Sequence, residues 1–140
     1  MYKLTTCAEF DSAHFLKDYN GKCSRLHGHR WKVEVTVGGE RLETSGHSRG
    51  MIVDFTKLRQ DLKKETKRLD HTLIIEKGSL KESTIKALKE EGFSLVEMPS
   101  RPTAENLAKH FYDYMNSQGY MVIEAKVYET PNNVAAYSEV

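Results

Sequence analysis

At 140 residues the chain has the length of one domain, 1–140, able to bury a single core without staples. Its 21 basic and 20 acidic side chains leave a net charge of +1, which excludes the cationic footprint of duplex-binding proteins, so no nucleic acid partner is expected. The longest apolar stretches, such as Leu73-Ile74-Ile75, fall far short of the ~20 residues of a membrane span, and Met1-Tyr2-Lys3-Leu4 carries no signal-peptide core, so a cytoplasmic protein with reduced thiols and no membrane partner is expected.

Tyr2–His14 reads as a strand, with Leu4, Thr6, Ala8, Phe10, Ser12 and His14 of one parity. Cys7, of the other parity, is expected to be buried or half-buried. Residues 17–25 are polar around an Asn20-Gly21 pair and form a loop that carries Cys23. Residues 29–37 alternate with Trp31, Val33, Val35 and Val37 on one face, which makes a second strand. Three histidines stand at the facing ends of these segments. Residues two apart on a strand share a face, so His27 and His29 can present both rings to one ion, and His14 can add a third. Three imidazoles with an open fourth position are the donor set of a catalytic zinc site; histidines placed in the surface or the core are the alternative.

Residues 38–50 are a Gly/Ser-rich connection in which His47 is a solvated residue. Asp54 or Thr56 then caps a helix to about Leu69, with Phe55, Leu58, Leu62 and Leu69 inward and its Lys/Arg/Glu run in water. Asp70-His71 follows at the helix end. It offers a carboxylate and imidazole for proton transfer, or simply a histidine favoured by the helix dipole. Residues 80–91 form a short helix and 93–98 an extended piece. Thr103 caps a third helix with Leu107, Ala108, Phe111, Tyr114 and Met115 on its apolar stripe, and His110 packs beside it. Met121–Thr130 is a long strand and 133–140 an edge strand after the Pro131-Asn132 turn. There is no internal repeat.

Phe10-Asp11-Ser12-Ala13-His14, Cys23-Ser24-Arg25-Leu26-His27-Gly28-His29, Gly50-Met51-Ile52-Val53-Asp54-Phe55, Asp70-His71, Pro102-Thr103-Ala104-Glu105-Asn106 and Glu129-Thr130 occur in the order seen in the 6-pyruvoyl-tetrahydropterin synthase superfamily. Over nearly its whole length the chain resembles the bacterial 6-carboxytetrahydropterin synthases of queuosine biosynthesis. The resemblance implies an α+β T-fold, in which an antiparallel sheet carries helices inserted between its second and third main strands and closes into an oligomeric barrel as a homotrimer or homohexamer. It implies Zn2+ on His14, His27 and His29, Cys23 as catalytic base, Asp70 and His71 as proton relay, Glu129 as pterin anchor, and Thr103 and Glu105 at the substrate. The implied reaction takes 7,8-dihydroneopterin triphosphate to 6-carboxy-5,6,7,8-tetrahydropterin with loss of triphosphate and acetaldehyde. A 6-pyruvoyl-tetrahydropterin synthase and a non-catalytic zinc or pterin-binding module are the alternatives. One departure is the segment between Thr72 and Ser100, longer than in compact bacterial members, which bears on the pocket entrance. Lys22, Arg25, Arg30 and Lys32 lie close enough in sequence to the histidines to meet the triphosphate.

Overall fold

The computed structural model describes residues 1–139; Val140, the end of the expected edge strand, lies outside the described residues. The strands are β1 (Tyr2–His14), β2 (His27–Gly39), β3 (Thr72–Glu76), β4 (Leu95–Met98), β5 (Met121–Thr130) and β6 (Asn133–Tyr137). They form one sheet in the order β4-β3-β1-β2-β5-β6. Helices α1 (Phe55–Leu69), α2 (Glu82–Glu90) and α3 (Ala104–Ser117) all fall between β2 and β5 in sequence, as expected for this α+β class.

The sheet is mixed rather than wholly antiparallel. β1, β2, β5 and β6 are antiparallel neighbours, whereas β3 joins β1 and β4 joins β3 in parallel. Thr72–Glu76 holds a three-residue apolar run, Leu73-Ile74-Ile75, too short to declare its period, and it is a strand because the backbone of Ser12 to His14 offers it an edge. β2 also begins at His27, two residues before the expected start, because His14 pairs with His27 across the hairpin.

Period-two alternation sorts the long strands into a covered and an open face. Ala8, Phe10, Trp31, Val33, Val35, Val37, Ala125 and Val127 are buried on the covered face. A shift of register at Thr36/Val37 keeps Val122 on that face as well, because the bulge in the β2–β5 ladder resets the alternation. Helix α1 lies against β1 and α3 against β5. Their stripes of Leu58, Leu62 and Leu69, and of Leu107, Ala108, Phe111 and Met115, complete the core. Asp54 and Thr103 cap the two helices as expected, accepting from the N–H groups of Thr56 and Asn106.

Three expectations change. Phe55 is 60% exposed, since as the first residue of α1 it precedes the turn that meets the sheet. Cys7 is exposed because its parity places it on the open face. The charged face of α1 is also not wholly in water. Asp61 and Glu65 are buried, the first accepting from Tyr120 and Lys57, the second from Arg68 and from His110 at 3.0 Å.

Trp31 is the largest fully buried side chain, stacked on Phe10 with ring centroids 6.1 Å apart. Trp31→Ala is expected to cost about 3–5 kcal/mol in urea denaturation, with most of that recovered in Trp31→Phe. A loss no greater than that of an exposed substitution would show that the core does not close on this ring.

Candidate metal centre and active site

The hairpin register decides which side chains meet. His14 is opposite His27 and Ser12 is opposite His29, and all four face the covered side at the end of the sheet. Trp31 forms their floor, its ring 5.0 Å from that of His14 and 5.3 Å from that of His29, both edge-on. The three imidazole centroids lie 4.5, 5.1 and 4.9 Å apart. One ring nitrogen from each falls within 4.8 Å of the others, so the triad could hold a metal ion.

The hydrogen bonds fix which nitrogens are free. His14 Nδ1 lies 2.7 Å from the Pro102 carbonyl, and His27 Nδ1 lies 2.6 Å from the Arg25 carbonyl. A carbonyl only accepts, so both Nδ1 atoms carry the proton and both Nε2 atoms of the neutral rings carry a lone pair. Those two Nε2 atoms face each other at 3.0 Å. Two acceptors at that separation repel unless a proton or a cation lies between them. Among the described residues His29 Nε2 is buried with no hydrogen bond; Glu129 Oε1 stands 3.4 Å away without the alignment of an acceptor. Across the strand from it the Ser12 hydroxyl is likewise buried and unpaired. Buried groups are rarely left so, and a cation bound to three converging Nε2 atoms satisfies the imidazoles together.

Burial holds the His14 imidazole down to about 4 against the upward pull of the Pro102 carbonyl, and neighbouring His27 and His29 lower it further. Burial also lowers His29, with Glu129 opposing it. His14 and His29 therefore favour the neutral rings that ligate metal.

The remaining expected site residues divide. Glu129, at the end of β5, joins the triad through its contact with His29. Cys23 is half-buried in a single 3-10 turn, Lys22–Ser24, and is not one of the donor atoms of the cluster. Thr103 spends its hydroxyl on the α3 cap, and Glu105 is exposed in the first turn of that helix. Asp70 and His71 lie elsewhere. Asp70 accepts from the Asp11 N–H at 2.8 Å and pairs with His71 Nδ1 at 2.9 Å, while His71 N donates to the Asp11 carbonyl. The His71 ring is 80% exposed on the side of Asp11, the open face, and borders a shallow depression that Arg30 lines together with Ser12 and His29. The N–H of Asp11 leads in holding the Asp70 carboxyl below its ordinary range, and His71 and Arg30 add to it. Arg30 and Lys32 belong to that face too, occupied by Asp11 and Glu34, so of the four expected triphosphate cations only Lys22 and Arg25 remain on the hairpin loop. His47 is solvated as expected but pairs with Asp54. Sequence reasoning missed the Pro102 and Arg25 carbonyls, because a backbone acceptor leaves no residue-type signal; a proline just before a helix cap was the only hint.

In metal-free protein the depressed His14 pKa has a definite sign. Between pH 6.5 and about 4 the unfolded chain takes up a proton that the folded chain refuses, so stability falls as pH falls through that window. Urea midpoints of EDTA-treated protein are expected to drop from pH ~7 to ~5, and to drop less in His14→Gln. Equal slopes in parent and variant would remove His14 as the cause.

Comparison with known proteins adds independent support. The family model described as 6-pyruvoyl tetrahydropterin synthase matches residues 3–140. A 6-carboxy-5,6,7,8-tetrahydropterin synthase of Haemophilus influenzae is 32% identical over a 142-residue alignment covering 99% of this chain and 100% of that protein. The Rickettsia bellii protein of the same name is 36% identical, covering 94% of this chain and 96% of its own. The structure of Caenorhabditis elegans 6-pyruvoyl tetrahydropterin synthase superimposes with a TM-score of 0.70 at 21% identity, covering 99% of this chain and 96% of that one, so the fold is the expected T-fold. With the family model matched almost end to end and two relatives above 30% identity, this chain belongs to the 6-pyruvoyl tetrahydropterin synthase family of enzymes.

Proposed function

We propose that this protein is a zinc-dependent lyase of queuosine biosynthesis that converts 7,8-dihydroneopterin triphosphate to 6-carboxy-5,6,7,8-tetrahydropterin, releasing triphosphate and acetaldehyde in the cytoplasm. The observation that carries this reading is the set of Nε2 atoms of His14, His27 and His29, two with lone pairs fixed by carbonyls and one buried without a partner. The names of the Haemophilus and Rickettsia relatives support the carboxy product.

In this reading His14, His27 and His29 hold zinc, which supplies Lewis-acid stabilisation of negative charge developing on the substrate's side-chain oxygens. Cys23, as thiolate, takes a carbon-bound proton of the side chain. Asp70 orients His71, which passes the proton on. Glu129 accepts two parallel hydrogen bonds from the pterin 2-amino and N3 edge. Thr103 and Glu105 border the substrate at the start of α3. The dyad is bonded to Asp11 rather than to the triad, and among the described residues the outer edge of β1 is strand-paired only at Ser12 to His14. A homotrimer or homohexamer that covers this edge lets the dyad of one copy serve the triad of the next.

Zinc-loaded protein incubated with 7,8-dihydroneopterin triphosphate is expected to yield 6-carboxytetrahydropterin by mass spectrometry together with acetaldehyde. A 6-pyruvoyl product without acetaldehyde would move the assignment to the pyruvoyl branch, and no turnover would leave a zinc or pterin-binding module. One zinc per chain is expected, and full occupancy in His27→Ala would overturn the ligand set. Cys23→Ala should keep zinc and bind a pterin analogue yet lose ~10²–10⁴-fold in kcat. Glu129→Ala should keep zinc but lose about 1–3 kcal/mol of analogue affinity by calorimetry. A monomer in light scattering that is fully active at micromolar concentration would rule out the shared site.

A further inference from the structure

The loop that carries Cys23 is held together almost wholly by itself. Leu16 N donates to the Cys23 carbonyl, Tyr19 N to Leu16, Gly21 N to Tyr19, Ser24 N to Gly21 and Arg25 N to Lys22. Asp18 takes a left-handed backbone conformation at φ 65°, one that Asp tolerates. A Cβ on Gly21 would stand 2.8 Å from the Tyr19 ring, so glycine lets that ring fold over the turn. Such a loop moves as one body unless something outside holds it. Among the described residues, the hydrogen bonds that tie residues 16–24 to a distant part of the chain come from Arg101. Its Nε and Nη2 both donate to the Lys17 carbonyl, at 3.0 and 2.7 Å, across 84 residues of sequence.

The other end of this clasp is fixed at the metal site. The Arg101 carbonyl accepts from Asn106 Nδ2 at 3.0 Å and from Thr103 N at 2.8 Å, which anchors it to the first turn of α3. The next residue is Pro102, whose carbonyl holds the His14 ring. One guanidinium therefore spans the few bonds between the segment that orients a metal ligand and the loop that bears the thiol.

We propose that Arg101 is a positioning residue: its two-pronged grip on the Lys17 carbonyl sets the placement of the Cys23 thiol relative to the His14, His27 and His29 triad. The inference rests on Cys23 being the base in the activity proposed above. A planar fork onto a single acceptor resists rotation as well as separation, which a lysine with one ammonium cannot do. The clasp leaves the ligands and their own carbonyl partners untouched.

The test uses full-length protein carrying Cys7→Ser, so that Cys23 is the one thiol. Arg101→Ala and Arg101→Lys are compared with this parent for zinc content, urea midpoint, alkylation of Cys23 by iodoacetamide, and kcat and KM. Both variants are expected to keep one zinc per chain. Cys23 alkylation should change severalfold in Arg101→Ala and less in Arg101→Lys, and kcat should fall by roughly 10–100-fold with KM little altered, the scale of an ångström-level misplacement. Millimolar guanidinium should restore part of both in Arg101→Ala. Parental alkylation and kcat in Arg101→Ala would overturn the proposal, as would an equal loss of zinc and midpoint with no response to guanidinium. If Arg101→Ala does not fold, the Arg101→Lys alkylation rate decides in the same way. Altered alkylation in a protein whose parent never turns over the pterin would leave the clasp standing and sink the proposed activity.

Discussion

The pairing of β1 with β2 is the constraint on which the site depends. With Ser12 opposite His29 and His14 opposite His27, three imidazoles arrive on one face within reach of one ion. A slip of a single residue would turn the imidazoles of one strand to the open face. The register is protected by what lies further down the same ladder. Ala8, Phe10, Trp31, Val33 and Val35 share the face of the triad, and a slip would drive that apolar set into water along with the histidines. The hydrophobic core thus keeps the site in register, and Trp31, stacked on Phe10 and edge-on to two of the imidazoles, is where the two meet.

Orientation of the rings comes from backbone carbonyls at the ends of other elements. Pro102 reaches His14 from the residue before the α3 cap, so the placement of α3 matters to the site. Two buried carboxylates on α1 bear on that placement. Glu65 pairs with His110 of α3, and Asp61 accepts from Tyr120 just beyond it. Each carboxylate also has a cationic partner on its own helix, Arg68 for Glu65 and Lys57 for Asp61, so the groups are satisfied on both sides. Removal of one partner from such a pair costs more than the pair contributes, which makes this polar seam a specifier of how α1 and α3 dock.

Much of this was legible in sequence because it is periodic or local. Alternation gave both faces of β1 and β2, the His27-x-His29 spacing gave a shared face, and Asp54 and Thr103 read as caps. What escaped depended on partners distant in the chain. Thr72–Glu76 is a strand only because the end of β1 is there to pair with it, and Cys7 is exposed because it lies on the face of β1 opposite the core. Glu65 looked like part of a solvated run until His110, 45 residues away, came to meet it. Asp70-His71 was visible as a dipeptide, yet which face it would take was set by the backbone bonds to Asp11.

The β3-α2-β4 segment serves the site through the backbone of β1. β3 pairs with β1 only at Ser12, Ala13 and His14, the stretch that contains one histidine of the triad, and leaves the rest of that edge free. β4 then pairs with β3, and Lys77 N closes the unit on the Met98 carbonyl. Two parallel strands so joined make the end of β1 an interior position of the sheet at His14, where fraying would otherwise be greatest. From β4 the chain runs directly through Arg101 and Pro102 into α3, so the segment that steadies the strand under His14 also delivers the carbonyl that aims its ring. The stretch between Thr72 and Ser100 thus braces one histidine from two directions, through the backbone of His14 and the carbonyl of Pro102.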